Sequence, residues 1–504
     1  MPLGCVDIMI KNMGPSNKIA SKVTNDGSSN DFAPELVDLL SKLRSFQRKA
    51  FDFAISTQVE GRFLLADEMG LGKTVTSLAI MLRYQHEWPL LILCPASLRY
   101  NWPTEIERFA PTIPSSAIYV VSGMDDAAFE KRRTSLKVVV ATYSLLQQRS
   151  TAAHALQQMQ FQCIIADESH NLKERTSQRC QLAMPLLQKA KRLIFISGTP
   201  ALARPVELWP QISCLSPAEF GSYDKFTRMY CDARRGRFGW DVKGISNADE
   251  LHSKLSKIMV RRLKSQVLAE LPAKQRTIFA IKVLGNSEPV KKCRDIMKNL
   301  KEARVAASDV LDSSSHFEAR RLLMAAYQAS GIAKAPAVAD YVVDWLRGSG
   351  TQKLLVFGHH TEVLNILELA LSKQLKGVGH IRIDGATPPV ERTKSVKAFQ
   401  TSPKIRVALL SVTAAGVGLT LTAASTVVFS ELHWTPGVLA QAEDRCHRIG
   451  QVNSVNIIYC VCKDEDVSID MTIWKMLSRK VGNLGRLMDG KVSCIQIFLL
   501  WAVS

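Results

Sequence analysis

Three short segments of the 504-residue chain carry residue types and spacings suited to phosphate chemistry. The first is ADEMGLGKT at 66–74, in which Gly70 and Gly72 precede Lys73 and Thr74. Glycines let main-chain N–H groups approach an anion closely, a lysine at this spacing neutralises β and γ phosphates, and the threonine hydroxyl ligates magnesium. The expected cradle comprises Asp67, Glu68, Met69, Gly70, Leu71, Gly72, Lys73 and Thr74, with Asp67 standing where longer loops of this type carry glycine. The second segment, CIIADESH at 163–170, ends an apolar run with adjacent carboxylates. Asp167 is expected to hold magnesium, directly or through water, and Glu168 to orient and deprotonate an attacking water. Taken alone, DESH reads equally well as a capped helix start.

The third segment is QAEDRCHRIGQ at 441–451. Read as a helix, it sets Gln441, Arg445 and Arg448 at i, i+4 and i+7 on one face, where the arginines can meet charge developing on a transferred phosphoryl group. The plain alternative is a solvated basic helix face. Between these segments, SGTP at 197–200 supplies hydroxyls at Ser197 and Thr199 that can sense a γ phosphate.

The elements that must position these groups alternate between apolar runs and amphipathic stretches. FLLA (63–66), LLIL (90–93), VVVA (138–141), CIIA (163–166) and LIFI (193–196) form one series. KLLVFG (353–358), IRID (381–384), RVALLS (406–411) and TVVFS (426–430) form another. Strands alternating with helices make parallel sheets covered on both faces, so the fold class is α/β with two similar lobes. Residues 1–35 read as a mobile leader, 36–215 as lobe 1, 216–335 as helical insertions and linker, 336–485 as lobe 2, and 486–504 as a divergent tail. Apolar residues at helical spacing from Leu43 to Ile55 predict a helix ahead of the first strand.

The formal net charge of +19 favours acidic partners, nucleic acid among them, since lysine and arginine displace counterions from a phosphate backbone. The eleven cysteines are scattered without paired metal-ligand spacing, which fits free thiols better than a zinc site. No run approaches the roughly 20 apolar residues that span a bilayer, and none resembles a secretory signal. A soluble intracellular protein without a membrane partner is the expectation.

In their order along the chain, DEMGLGKT, DESH, SGTP, SVTAAGVGLTL (411–421) and QAEDRCHRIGQ resemble the SWI/SNF-like DNA translocases of helicase superfamily two, over about residues 43–477. The resemblance implies two RecA-like lobes that close over ATP and Mg2+, with Gln47 contacting adenine and Gly416 and Gly418 lining the nucleotide. It also implies backbone contacts to DNA from strand-end loops, with Ser97, Thr142, Tyr143, His359 and Thr413 as candidates. Trp102 in CPASLRYNW belongs to a further motif, and Trp434 and Pro436 carry either a coupling role or plain packing. SGTPALARPVELWPQI (197–212) and MVRRLKSQVLAELPAKQR (259–276) look most like the annealing-helicase branch with HARP-domain and zinc-finger Ran-binding members, although Gln266 stands where an acidic residue is expected. No segment resembling a HARP domain, zinc finger or HNH nuclease flanks the lobes, and the final stretch departs from the family and reads as an alternative or truncated terminus.

The resemblance implies an ATP-dependent translocase acting on double-stranded or forked DNA, a monomeric motor of the nucleus whose partners include replication and repair proteins. A chromatin-remodelling ATPase, an RNA-dependent ATPase and a catalytically inactive nucleic-acid-binding scaffold remain as alternatives.

Overall fold

The computed structural model describes residues 32–489 apart from 97, 122, 124–125, 148–149, 202–203, 237–238, 269–270, 310–312 and 414–418. The expected leader up to residue 31, Ser97, Gly416, Gly418 and the tail from 490 onward lie outside the described residues. None of the described helices is long and apolar enough to cross a membrane.

The first apolar series folds as β1 (Arg62–Leu65), β2 (Leu90–Cys94), β3 (Ile118–Val120), β4 (Val138–Thr142), β5 (Cys163–Asp167) and β6 (Arg192–Ile196). A separate hairpin follows, β7 (Arg234–Gly236) with β8 (Gly239–Asp241), and then β9 (Met259–Val260) returns to the sheet. The order β3-β4-β2-β5-β6-β1-β9 makes seven parallel strands. Because successive strand residues point to opposite faces, Leu64 and Ala66 enter one core while Phe63 and Leu65 enter the other.

The second lobe contains β10 (Lys274–Ile281), β11 (Leu354–Gly358), β12 (Gly379–Ile383), β13 (Ile405–Ser411), β14 (Thr426–Phe429) and β15 (Val455–Cys462). Their order is β10-β15-β14-β11-β13-β12, again all parallel. Leu355 and Phe357 face one core and Leu354 and Val356 the other. The pair of parallel α/β lobes expected from the sequence is therefore present.

The reading of 216–335 as helices and linker needs correction. Met259–Val260 pairs with β1 as an edge strand of lobe 1, and Lys274–Ile281 pairs along its whole length with β15. The second was hidden because KQRTIFAI is an edge strand, largely exposed and rich in polar residues, so it lacks the apolar run of a buried parallel strand. At the amino end, helices Pro34–Lys42 and Ser45–Ile55 are separate, and the first begins inside the stretch expected to be leader. The last helix, Asp470–Asp489, ties the lobes together, with Ile473, Trp474 and Leu477 in the lobe 2 core and Met488 in the lobe 1 core.

Candidate active site

The cleft is built at the carboxyl ends of the parallel strands, where the chain leaves each strand for a loop. After β1, the N–H of Ala66 donates to Val260 O (2.7 Å) and that of Glu68 to Arg262 O (2.9 Å), which extends the sheet contact into the cradle. Gly70 and Gly72 then take left-handed φ values of +81° and +75°, and the helix Lys73–Arg83 begins. Both glycines are also sterically required. A Cβ on Gly70 would stand 2.8 Å from Arg448 Cβ, and one on Gly72 would overlap the Gln47 amide. Gln47 thus lies against the cradle, donating from Nε2 to Leu71 O (3.1 Å) and accepting at Oε1 from the Arg44 N–H (2.9 Å).

Lys73 Nζ points back into the loop, donating to Asp67 O (2.9 Å) and Glu68 O (3.3 Å). Burial lowers its pKa, opposed by Glu168, Asp67 and Asp167. The Asp67 carboxylate is buried and accepts from Arg262 Nε (2.8 Å) and Nη2, so its charge is committed to anchoring the loop.

At the end of β5, Asp167 accepts from Trp102 Nε1 at Oδ2 (3.1 Å) and from the Glu168 N–H at Oδ1 (2.8 Å), while Tyr143 OH donates to its carbonyl (2.8 Å). Burial and the neighbouring Glu168 raise the Asp167 pKa to about 7. Glu168 sits at φ +47°, a left-handed conformation costly for a side chain this size and often found at working sites. Although burial opposes it, His170, Lys73 and Arg445 hold the Glu168 pKa below the usual carboxylate range. The pair thus splits into a carboxylate held ionised and one whose charge needs a cation.

A chain of polar contacts leads from this pair to the other lobe. His170 Nδ1 lies 3.3 Å from Glu168 Oε2 and 3.2 Å from Ser197 Oγ. Ser197 Oγ accepts from the Thr199 N–H (3.2 Å), and Thr199 Oγ1 accepts from Gln441 Nε2 (3.2 Å). SGTP therefore connects the carboxylates to lobe 2.

The expectation that Gln441, Arg445 and Arg448 share one helical face is overturned. The helix Pro436–Glu443 carries Gln441 and ends there, while both arginines lie in the turns beyond. The helix ladder breaks because Arg445 O accepts from the Leu421 N–H (2.9 Å) and the Glu443 and Asp444 carboxylates are drawn to Lys274, Arg276 and Lys264. Arg445 is 2% exposed, and its Nε and Nη2 have no hydrogen-bond partner among the described residues. Burial lowers its pKa to about 10, with Glu168 the strongest opposing charge, so the guanidinium and the Glu168 carboxylate act on each other across the cleft. Arg448 Nη1 donates to Thr420 Oγ1 (2.8 Å) and its stem covers Gly70.

Sequence reasoning gave no role to Lys264, which joins the two halves of the site. Its N–H donates to Glu68 Oε2 (2.7 Å), and its buried ammonium pairs with Asp444 Oδ1 (2.9 Å) and donates to His447 O. The signal was the run RRLK in the connection between lobes. Arg261 from that run donates to Ala66 O (3.1 Å) and Gly198 O (3.3 Å), and Arg262 holds Asp67.

The DNA-contact candidates are not gathered on one surface. Thr142 and Tyr143 are buried, the hydroxyl of the first accepting from the Leu145 N–H (3.3 Å) and that of the second bonded to Asp167 O. Tyr143 thus supports the end of β5 from within, while Thr142 caps the turn that follows its own strand. His359 is half-buried, its N–H donating to Glu431 Oε2 (2.7 Å), its ring beside Tyr327 and His433, and its Nδ1 without a partner among the described residues. Thr413 is exposed, with Oγ1 2.9 Å from Ser411 Oγ. Trp434 packs against Tyr327 and the lobe 2 core.

The model of the SNF2-related domain matches residues 46–323, and that of the helicase conserved C-terminal domain matches 336–450. The chain is 41% identical over 473 residues to the DNA annealing helicase and endonuclease ZRANB3 of Bos taurus, covering 92% of this chain and 42% of that protein. It is 42% identical over 450 residues to the SWI/SNF-related matrix-associated actin-dependent regulator of chromatin subfamily A-like protein 1 of Xenopus tropicalis, covering 88% of this chain and 45% of that protein. The chain thus spans less than half the length of these two relatives. A solved Sulfolobus solfataricus SWI2/SNF2 ATPase core in complex with dsDNA is 21% identical, with a TM-score of 0.41 and coverage of 92% of this chain and 95% of that one.

Proposed function

Since the chain belongs to the SNF2-related family, we propose that it is an ATP-dependent DNA translocase of the annealing-helicase kind, acting on duplex or forked DNA in fork remodelling and repair. The observation that carries the reading is Arg445, a buried guanidinium with two groups unpartnered among the described residues and set against the electrostatic field of Glu168. Burying a charge without partners is costly, and a γ phosphate entering between the lobes supplies the missing acceptors. The name of the Bos taurus relative, a DNA annealing helicase and endonuclease, supports the annealing branch.

The residues present fit a magnesium ion. The Asp167 charge is disfavoured by burial and by Glu168, and Thr74 stands in the first turn of the helix after the cradle. Held by Asp167 and the Thr74 hydroxyl, magnesium would supply positive charge to the phosphate oxygens. The N–H groups of the cradle and Lys73 hold the phosphates, and Gln47 borders the adenine end. Glu168 accepts the proton of the attacking water, and Arg445 stabilises charge on the transferred group. Gln441, through Thr199, Ser197 and His170, passes the state of the carboxylates to lobe 2, so each hydrolysis changes how the lobes grip DNA. His359 and Thr413 grip the backbone from the strand ends of lobe 2 with little regard for sequence. The site of action is the nucleus, which imaging of the tagged protein tests.

Rewinding of a plasmid bubble held open by a single-strand-binding protein is the test. ATP-dependent closure, absent with a non-hydrolysable analogue, is the expected result. Nucleosome sliding without rewinding would instead make the chain a chromatin remodeller.

A further inference from the structure

Between the helices Tyr223–Tyr230 and Ala248–Leu255 the chain leaves lobe 1 as the hairpin β7–β8, which joins neither main sheet. All six strand residues are exposed, and Trp240 shows 58% of its surface. The register sets Arg234 opposite Asp241 and Arg235 opposite Trp240. Directly opposed residues of an antiparallel pair share a face, so Arg235 and Trp240 stand side by side. From the preceding helix, the Arg228 guanidinium lies 5.6 Å from the Trp240 ring centroid. One exposed indole thus has a guanidinium over its ring and an arginine directly across the ladder.

The base of the hairpin is fixed. The Ser246 N–H donates to Tyr230 O (3.1 Å), and Ser246 Oγ donates to Met229 O (2.7 Å) while accepting from the Asp232 N–H (3.1 Å). Asn247 Nδ2 also donates to Met229 O (2.8 Å). Gly244 passes so close that a Cβ there would stand 2.6 Å from Asp232 Cβ. A two-stranded hairpin has no core of its own, so these bonds hold the indole in a set position outside the lobe.

We propose that the Trp240 face of this hairpin is a stacking platform for an unpaired base at the junction between duplex and single strand in forked DNA. Arg228 and Arg235 stand on the Trp240 face with Lys243 close by in sequence, whereas Arg234 and Asp241 share the opposite face and Asp232 is paired with Arg234 (2.9 Å). The surface is therefore cationic around an apolar ring, which complements a base carrying phosphates on either side. Duplex DNA hides its base faces, whereas a fork presents them beside the duplex that the lobes hold. The proposal rests on the DNA-translocase reading and names the substrate feature that this reading leaves open.

Binding without nucleotide, by fluorescence anisotropy at fixed salt, tests it with a fork bearing single-stranded arms and a blunt duplex of equal length. Base–aromatic stacking contributes enough that Trp240→Ala should weaken fork binding on the order of tenfold. Blunt-duplex binding and blunt-duplex-stimulated ATP hydrolysis should change less than about twofold, and Trp240→Phe should recover most of the fork affinity. Equal fork affinity in wild type and Trp240→Ala overturns the platform, as does an equal loss on both DNAs. Failure of the translocase reading looks different, because wild-type hydrolysis would then ignore every DNA while the binding comparison is still read. Trp240 is exposed, so an unchanged melting temperature should accompany the loss.

Discussion

Replacing Arg445 by methionine should make the protein more stable and nearly inactive. The side chain is 2% exposed, with Nε and Nη2 unpartnered among the described residues. Each buried unsatisfied group costs about 1–3 kcal/mol, more when charged. Methionine has similar reach, no polar hydrogen and enough flexibility to fill the space. Losing the attraction to Glu168 offsets part of the gain, and Lys73 and His170 remain to hold that carboxylate. The net gain should be about 2 kcal/mol, which raises the melting temperature of a lobe of this size by about 4–8 °C. Turnover should meanwhile fall by about 10³ or more, the usual effect of losing such an arginine. Calorimetry and steady-state ATP hydrolysis on the same preparations read both quantities. A lower melting temperature together with retained turnover refutes the assignment, because Arg445 would then be a structural arginine with partners.

Other substitutions separate the parts of the site. Gly72→Val should abolish nucleotide binding and destabilise the protein by about 1–2 kcal/mol or more, since φ is +75° and the Gln47 amide occupies the space; isothermal titration and a urea melt check it. Gln441→Ala removes the contact to Thr199 and should lower DNA stimulation of hydrolysis, while costing about 0.5–1.5 kcal/mol of stability at most. Glu443 is buried, and despite that burial Arg276, Lys274 and Tyr459 hold its pKa to about 2. Its contribution is therefore complete above the unfolded carboxylate pKa and is lost as pH falls from roughly 5 toward 2. Glu443→Gln should cost about 3–5 kcal/mol at neutral pH and flatten that acid limb in melts followed against pH.

Much of the site was legible because its chemistry is local in sequence. GLGKT and DESH sit directly after buried strands whose apolar runs announce them, and the glycine requirement at 70 and 72 follows from φ and space. Contacts made between distant segments were not legible. Lys264 and Asp444 meet across 180 positions of chain, and no local pattern distinguishes RRLK from a solvated basic turn. Helical periodicity misled at Arg445, where the Leu421 N–H captures the carbonyl that a longer helix would use. Edge strand β10 was missed for a related reason, because it lacks a continuous apolar run. Tyr143 shows a third limit, since a motif implied contact with DNA while packing turned the ring inward to carry Asp167.

Steady-state ATP hydrolysis by the purified chain tests the central claim most directly. It is measured without nucleic acid and with single-stranded, duplex or forked DNA or RNA, beside Lys73→Ala. Strong stimulation by duplex or forked DNA that vanishes in Lys73→Ala is the predicted result. Hydrolysis that ignores every nucleic acid, or that survives the loss of Lys73, would contradict it.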